Sequence, residues 1–245
     1  MNNPEPDNPN TTKEAFVIGM GEAFGLPALV LFASMIGFGS MALESGFSIG
    51  VAIGSTIGIW GLPGQVAMAE SFALGAPVIA IVLSVSMANM RFLPMALPMV
   101  PLLRGNKTGW KWRYLIIHFM SINPWAAVLR RGPEMKPELI TPYFLGFSIV
   151  CISSGALGTA TGFIVAGSLP FYITVALIFL NPVYFAYLFS GVRQRNCILA
   201  LIAGAILGPL FYLVSPEWGL PACGLAAGSI GYGLDKMIGG RNGSD

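Results

Sequence analysis

An all-α, polytopic transmembrane bundle is the fold class this sequence predicts, on three observations. Only 24 of the 245 residues are charged, 13 Lys+Arg and 11 Asp+Glu, or 10%, where a soluble domain carries about 25%. Hydrophobic residues make up 55% of the chain, and the mean hydropathy is +0.72. The charges also cluster, leaving uncharged runs about as long as a membrane-crossing helix. A soluble fold of this composition would lack the polar surface that keeps a protein in solution. That excludes an ordinary cytosolic enzyme, a nucleic-acid binder and a disordered protein. The apolar runs are continuous, not alternating, which disfavours a spanning β-barrel.

Taken in order, residues 1–13, rich in Asn and Pro, are expected to form a disordered polar N-terminus without the features of a cleaved signal. Residues 14–240 are expected to be a single transmembrane domain, and 241–245 a tail, with connections too short for a nucleotide-binding or kinase domain. Between Glu22 and Glu44 lie 21 uncharged residues, between Glu44 and Glu70 25, and between Glu70 and Arg91 20. From Leu139 to Val192 there are 54, room for two crossings joined near Gly167-Ser168-Leu169-Pro170. Arg195 to Glu217 encloses 21 more, and Glu217 to Asp235 another 17. A helix rising about 1.5 Å per residue needs roughly 20 residues to cross about 30 Å of hydrocarbon. The expected spans are therefore 23–43, 46–69, 71–90, 140–162, 170–190, 197–214 and 218–234. Two stretches resist assignment: 92–103, which holds three prolines, and 114–129, which contains His118 and Asn123-Pro124. Each is a half-helix, a re-entrant segment or an interfacial helix, so seven or eight crossings are expected.

Orientation follows the basic residues. Arg104, Lys107, Lys111 and Arg113 form an acid-free cluster, followed by Arg130, Arg131 and Lys136 and then by Arg193 and Arg195. Such clusters mark the cytoplasmic side, and Glu44 and Glu217 in otherwise uncharged turns suit the outer side. All agree only when 114–129 does not cross; if it crosses, the second half inverts. Cys151, Cys197 and Cys223 fall inside apolar spans, and their odd number and lack of His/Cys spacing argue for packing over disulfides or a metal.

An offset of 119 residues places Ser34 on Ser153, Gly39 on Gly158, Ile59 on Ile178 and Pro63 on Pro182. Each half then has a Gly-rich helix followed by a span interrupted by proline, Leu62-Pro63-Gly64-Gln65 and Leu180-Asn181-Pro182-Val183. The repeats run over about 24–104 and 140–234. Paired halves with broken helices are how many secondary transporters build a mid-membrane site, because a break frees backbone N–H and C=O groups for a ligand. Gly46, Gly50, Gly54 and Gly58, four apart, form one helix stripe suited to close packing within the chain or, alternatively, against a second subunit. Gly204 with Gly208, and Gly224 with Gly228, repeat the device.

Polar groups within spans are expensive and therefore functional candidates. Gln65 follows the first break, with Ser55 and Thr56 before it; Asn181 and Tyr184 stand at the second. Asn89 and Arg91 close the third span, and Glu70 separates the second from the third. Together they suit a polar lining that holds a zwitterion between helix ends, with Glu70 a candidate coupling group. A surface loop or a snorkelling side chain is the competing reading for Glu70 and Arg91. His118, the only histidine, reads as a structurally satisfied interfacial residue. No catalytic triad, Cys/His pair or H-E-x-x-H motif is present, and the glycines of Gly19-Met20-Gly21-Glu22-Ala23-Phe24-Gly25 miss the dinucleotide spacing.

Ile59-Trp60-Gly61-Leu62-Pro63-Gly64-Gln65-Val66 resembles the "aGasQf" signature of the AzlC family, the large subunits of branched-chain amino acid exporters. Gly46-Phe47-Ser48 resembles the family's preceding turn, and Met87-Ala88-Asn89-Met90-Arg91-Phe92 its "lNlRh" at the end of the next span. Leu180-Asn181-Pro182 through Arg193-Gln194-Arg195 is similar to its C-terminal half, so the likeness covers nearly the whole chain. Two departures stand out: Phe92 replaces the histidine often found after the arginine, and Ile122-Asn123 replaces an Asp-Glu pair. The resemblance implies a multi-pass inner-membrane exporter of branched-chain or other small apolar amino acids, driven by an ion gradient. It also implies a small AzlD-like membrane subunit as partner, and it carries Gln65, Asn89 and Arg91 over as site residues. No enzyme activity, cofactor, metal or nucleic acid is expected. The alternatives are a non-transporting membrane scaffold or assembly partner, or a transporter of a different small solute.

Overall fold

A computed structural model describes residues 9–103, 110–168, 170–190, 195–214 and 219–239. Among these residues the chain is entirely helical, with no strand. Its helices are α1 (Thr12–Ala23), α2 (Leu26–Glu44), α3 (Ile49–Gly58), α4 (Leu62–Ala73), α5 (Val78–Asn89) and α6 (Phe92–Leu102). They continue as α7 (Trp110–His118), α8 (Ile122–Arg131), α9 (Pro137–Val165), α10 (Phe171–Ser190), α11 (Arg195–Val214) and α12 (Gly219–Gly239). Thr12 and Lys13, expected in the polar N-terminus, open α1: Thr11 accepts a hydrogen bond from the Glu14 N–H while Glu14 reaches back to the Thr11 N–H. Residues 1–8 and 240–245 lie outside the described residues.

Among the described residues, three helices are long and apolar enough to cross a membrane: α2, α9 and α11. A fourth crossing results if α5 and α6, bent by 58° at their junction, are taken as one. That bend makes 92–103 either the second half of a broken span or a re-entrant segment, with the ring of Pro94 in the first turn of α6 and Pro98 and Pro101 inside it. The expected single span over 46–69 is two short helices, α3 and α4, separated at Ile59–Gly61. Trp60 there has φ +48°, a left-handed conformation that cannot continue a helix. Residues 114–129 fall in α7 and α8, of 9 and 10 residues; at about 1.5 Å per residue neither covers the hydrocarbon core.

The expected break at Pro182 is also corrected, because α10 runs through it unbroken. Neighbouring helices and small backbone adjustments let a membrane helix absorb a proline. At Pro63 the ring sits in the first turn of α4, where its missing N–H costs nothing.

Helix α9 is the centre of the bundle, with α1, α2, α3 and α8 packed on it, while α10 packs on α2 and α11 pairs with α12. Glycine makes the two main crossings possible. A Cβ on Gly39 would lie 2.7 Å from the backbone N of Phe163, and one on Gly162 2.6 Å from the carbonyl carbon of Ile36, so any side chain there drives α2 off α9. Gly19 and Gly146 play the same part between α1 and α9. Of the stripe Gly46, Gly50, Gly54 and Gly58, a Cβ on Gly46 would meet Phe72 at 4.0 Å, while one on any of the other three would have no neighbour within 4 Å among the described residues.

Candidate functional site

The interruption between α3 and α4 organises the site. Trp60 is held in its left-handed conformation by its indole, which is 3% exposed and donates from Nε1 to the Phe119 carbonyl at 3.2 Å. In return, His118 Nε2 lies 3.0 Å from the carbonyl oxygen of Ile57 in the last turn of α3. The turn between α7 and α8 thus closes over the gap between α3 and α4. His118 is structurally satisfied, as expected from its setting. A bulky residue at positive φ is a strained conformation that persists only where its surroundings impose it, and such residues concentrate at functional sites.

Behind the break runs a buried polar seam. Gln65 is fully buried, and its Nε2 donates to Thr56 Oγ1 at 2.9 Å. Thr56 Oγ1 also lies 2.9 Å from Thr159 Oγ1 and 3.1 Å from the Ala52 carbonyl oxygen, tying α3, α4 and α9 together. Gln65 Oε1 has no hydrogen-bond partner among the described residues. Asn89 rests on the first turn of α4, where only glycine leaves room: its amide lies 2.5 Å from where a Cβ of Gly61 or Gly64 would stand. Asn89 Oδ1 is likewise buried and unpartnered among the described residues.

In front of the break is a cavity of about 600 Å³ between α2, α4 and α10. Glu44, Glu70 and Arg91 bring charge to it, and Pro63 and Pro182 both border it. Ser45 and Thr174 add hydroxyls, and the rest of the wall is apolar, with Val66, Ile178 and Phe179 prominent. The Arg91 guanidinium stands 5.3 Å from the centroid of the Phe92 ring, an arrangement that stabilises the cation in apolar surroundings.

Of the residues singled out in the sequence, Pro63, Glu70, Arg91 and Pro182 therefore meet at one cavity. Gln65 and Asn89 stand behind it as supports and are not among the residues that border it. Tyr184 is buried on α10, with its ring centroid 6.5 Å from that of Tyr187, and is also absent from the cavity wall. The side chain of Asn181 lies outside the described residues.

Sequence reasoning gave no role to Trp60 or Thr159. The only signal for Trp60 was a bulky aromatic between glycines just before a proline; Thr159 had none. It also missed a polar cluster at the opposite end of α2. There Glu22 of α1 forms an ion pair with Arg131, lies 3.7 Å from Arg130, and accepts a hydrogen bond from Tyr143 at 2.5 Å.

A family model described as "AzlC protein" matches residues 27–169, more than half of the 245-residue chain. The matched stretch runs from α2 to the turn after α9, and so includes the break, the seam and Arg91. No curated protein and no solved structure matches the chain.

Proposed function

The chain belongs to the AzlC family of membrane transport-related proteins, and from that premise we propose that it exports branched-chain or other small apolar amino acids. The observation that carries the proposal is the cavity of about 600 Å³ holding Glu44, Glu70 and Arg91 on a largely apolar wall. Its size falls within the range of about 300–1,000 Å³ typical of small-molecule sites. A zwitterion with a branched aliphatic side chain is complementary to it at both ends. Arg91 and the first turn of α4, where Leu62 and Pro63 border the cavity, attract a carboxylate. Glu44 and Glu70 attract the ammonium group, and Val66, Ile178 and Phe179 receive the side chain. Glu70, a carboxylate at the cavity wall, is the candidate coupling group for an ion gradient.

In this reading the chain crosses an inner membrane seven times: α2, the pair α3–α4, the pair α5–α6, α9, α10, α11 and α12. Helices α7 and α8 stay on one side. The two halves are related by the 119-residue offset, which makes α9 the counterpart of α2 and α10 that of α3–α4. Two contacts support this. Thr56 of α3 bonds Thr159 of α9, and Thr174 of α10 donates to Ser40 of α2 at 3.2 Å. The offset carries Ser40 onto Thr159, and Thr56 to within one residue of Thr174. Each contact is the image of the other, as a two-fold pseudo-axis requires. A small AzlD-like membrane subunit completes the transporter.

The deciding measurement is uptake and efflux of valine, leucine, isoleucine and methionine by vesicles holding the purified protein, with and without that subunit. Arg91→Ala and Glu70→Gln should each cut flux at least about tenfold, the scale of one lost charge-assisted contact, while both variants still insert. Vesicles that carry no amino acid under either condition would leave the scaffold reading in its place.

A further inference from the structure

Next to the large cavity lies a second one of about 30 Å³, room for about one water molecule. Leu62 and Arg91 border both cavities. Helix α2 puts the two in sequence: Leu31 and Met35 border the small cavity, while Met41 and Glu44, farther along the same helix, border the large one. Between them the packing is tight, with Leu62 5% and Trp60 3% exposed.

The far wall of the small cavity is polar. Ser121 and Asn123 line it, and Ser121 Oγ and Asn123 Oδ1 are buried without a hydrogen-bond partner among the described residues. Asn123 is 8% exposed. Ser121 occupies the N-cap of α8, where a serine hydroxyl ordinarily accepts from the helix's own N–H groups, yet it makes no such bond. Each buried acceptor without a donor costs about 1–3 kcal/mol. Two together, in a cavity with no carboxylate on its wall, suit a donor that arrives and leaves.

We propose that the two cavities are successive stations of one route, with Leu62 the partition and the Ser121–Asn123 oxygens the inner acceptors for the ammonium group of the transported solute. The proposal rests on the transport reading above. Movement of Leu62 joins the stations, and the ammonium passes from Glu44 and Glu70 to neutral acceptors that release it more readily.

The route is tested without reference to any solute, in full-length protein in sided vesicles with Cys151, Cys197 and Cys223 replaced by serine. A thiol introduced at the large cavity by Ser45→Cys should react with an impermeant maleimide from one side. A thiol introduced by Asn123→Cys should be protected from that side and become reactive when Leu62→Ala is added. Leu62→Val repeats the test should Leu62→Ala fail to insert. Reactivity of the Asn123→Cys thiol that is unchanged by both Leu62 variants overturns the proposal. The acceptor role is read separately with radiolabelled leucine. Asn123→Leu should slow flux about tenfold and leave equilibrium binding within about twofold, a loss confined to a later step. Binding that falls in parallel with flux overturns that role. Absence of flux in the parent protein counts against the transport reading, while the thiol experiment still decides whether the stations connect.

Discussion

Two hydroxyl–hydroxyl contacts link the two halves proposed above, and they are not equally elaborate. Ser40 and Thr174 form a single bond between α2 and α10. Thr56 and Thr159 form the corresponding bond between α9 and α3, but Thr56 also reaches the Ala52 carbonyl and receives the amide of Gln65. The difference follows the backbone. Helix α10 is continuous through Pro182, whereas α3 and α4 are parted at Trp60. A broken helix loses backbone hydrogen bonds at the gap, where the Ile57 carbonyl is met instead by His118 Nε2. The continuous α10 lends Ile178 and Phe179 to the cavity wall, and the interrupted α3–α4 stretch gathers the buried hydrogen-bonded side chains.

The largest expected effect tests whether the halves depend on one another at all. Gly158→Ala places a methyl group 2.5 Å from the Phe32 carbonyl oxygen and 2.9 Å from the Met35 Cβ. Overpacking against a backbone should destabilise by roughly 3 kcal/mol, read as a lowered unfolding midpoint in detergent. An unchanged midpoint would mean that α2 and α9 are not locked at this crossing.

A smaller effect separates the two contacts. Thr56→Val removes a hydroxyl bonded on three sides and strands the Gln65 amide, whereas Thr174→Val removes one bond. The expected losses are about 2–3 kcal/mol and about 1 kcal/mol, compared by thermal unfolding of the two purified variants. Equal losses would erase the asymmetry.

The smallest effect lies outside both halves, at the start of α1. The Glu14 carboxyl is held below its ordinary value, chiefly by the backbone N–H of Asn10 and then by Thr11. A lowered carboxyl strengthens the cap fully above the ordinary carboxylate range and loses that support as pH falls through the lowered value. Amide exchange at Asn10 and Thr11 should therefore lose protection on acidification in the parent and show no such pH dependence in Glu14→Gln.

Helix content and membrane residence were legible in the sequence, because charge spacing and apolar run length are local signals. The site was only half legible. Pro63, Glu70, Arg91 and Pro182 were identified and do meet at one cavity, since charge or proline in a span is conspicuous. Gln65, read as a lining residue, is buried against Thr56 and does not border that cavity, because nothing local indicates which way a buried amide faces. Pro182 was read as a break, since the packing that lets a helix absorb a proline is a tertiary property. Thr159 could not be found at all: its meaning depends on Thr56, which reaches it only after the chain has folded back.

The central position of α9 has a consequence for how the chain comes to be built. Glycines on α1 and α2 wait for partners on a helix synthesised much later, Gly19 for Tyr143 and Gly39 for Thr159. Until α9 arrives, α1 and α2 have their glycine faces open. Assembly is therefore a docking event late in translation, not a stepwise zippering from the N-terminus. A substitution at Gly146 or Gly162 would leave every earlier helix correctly inserted and still without a bundle to join.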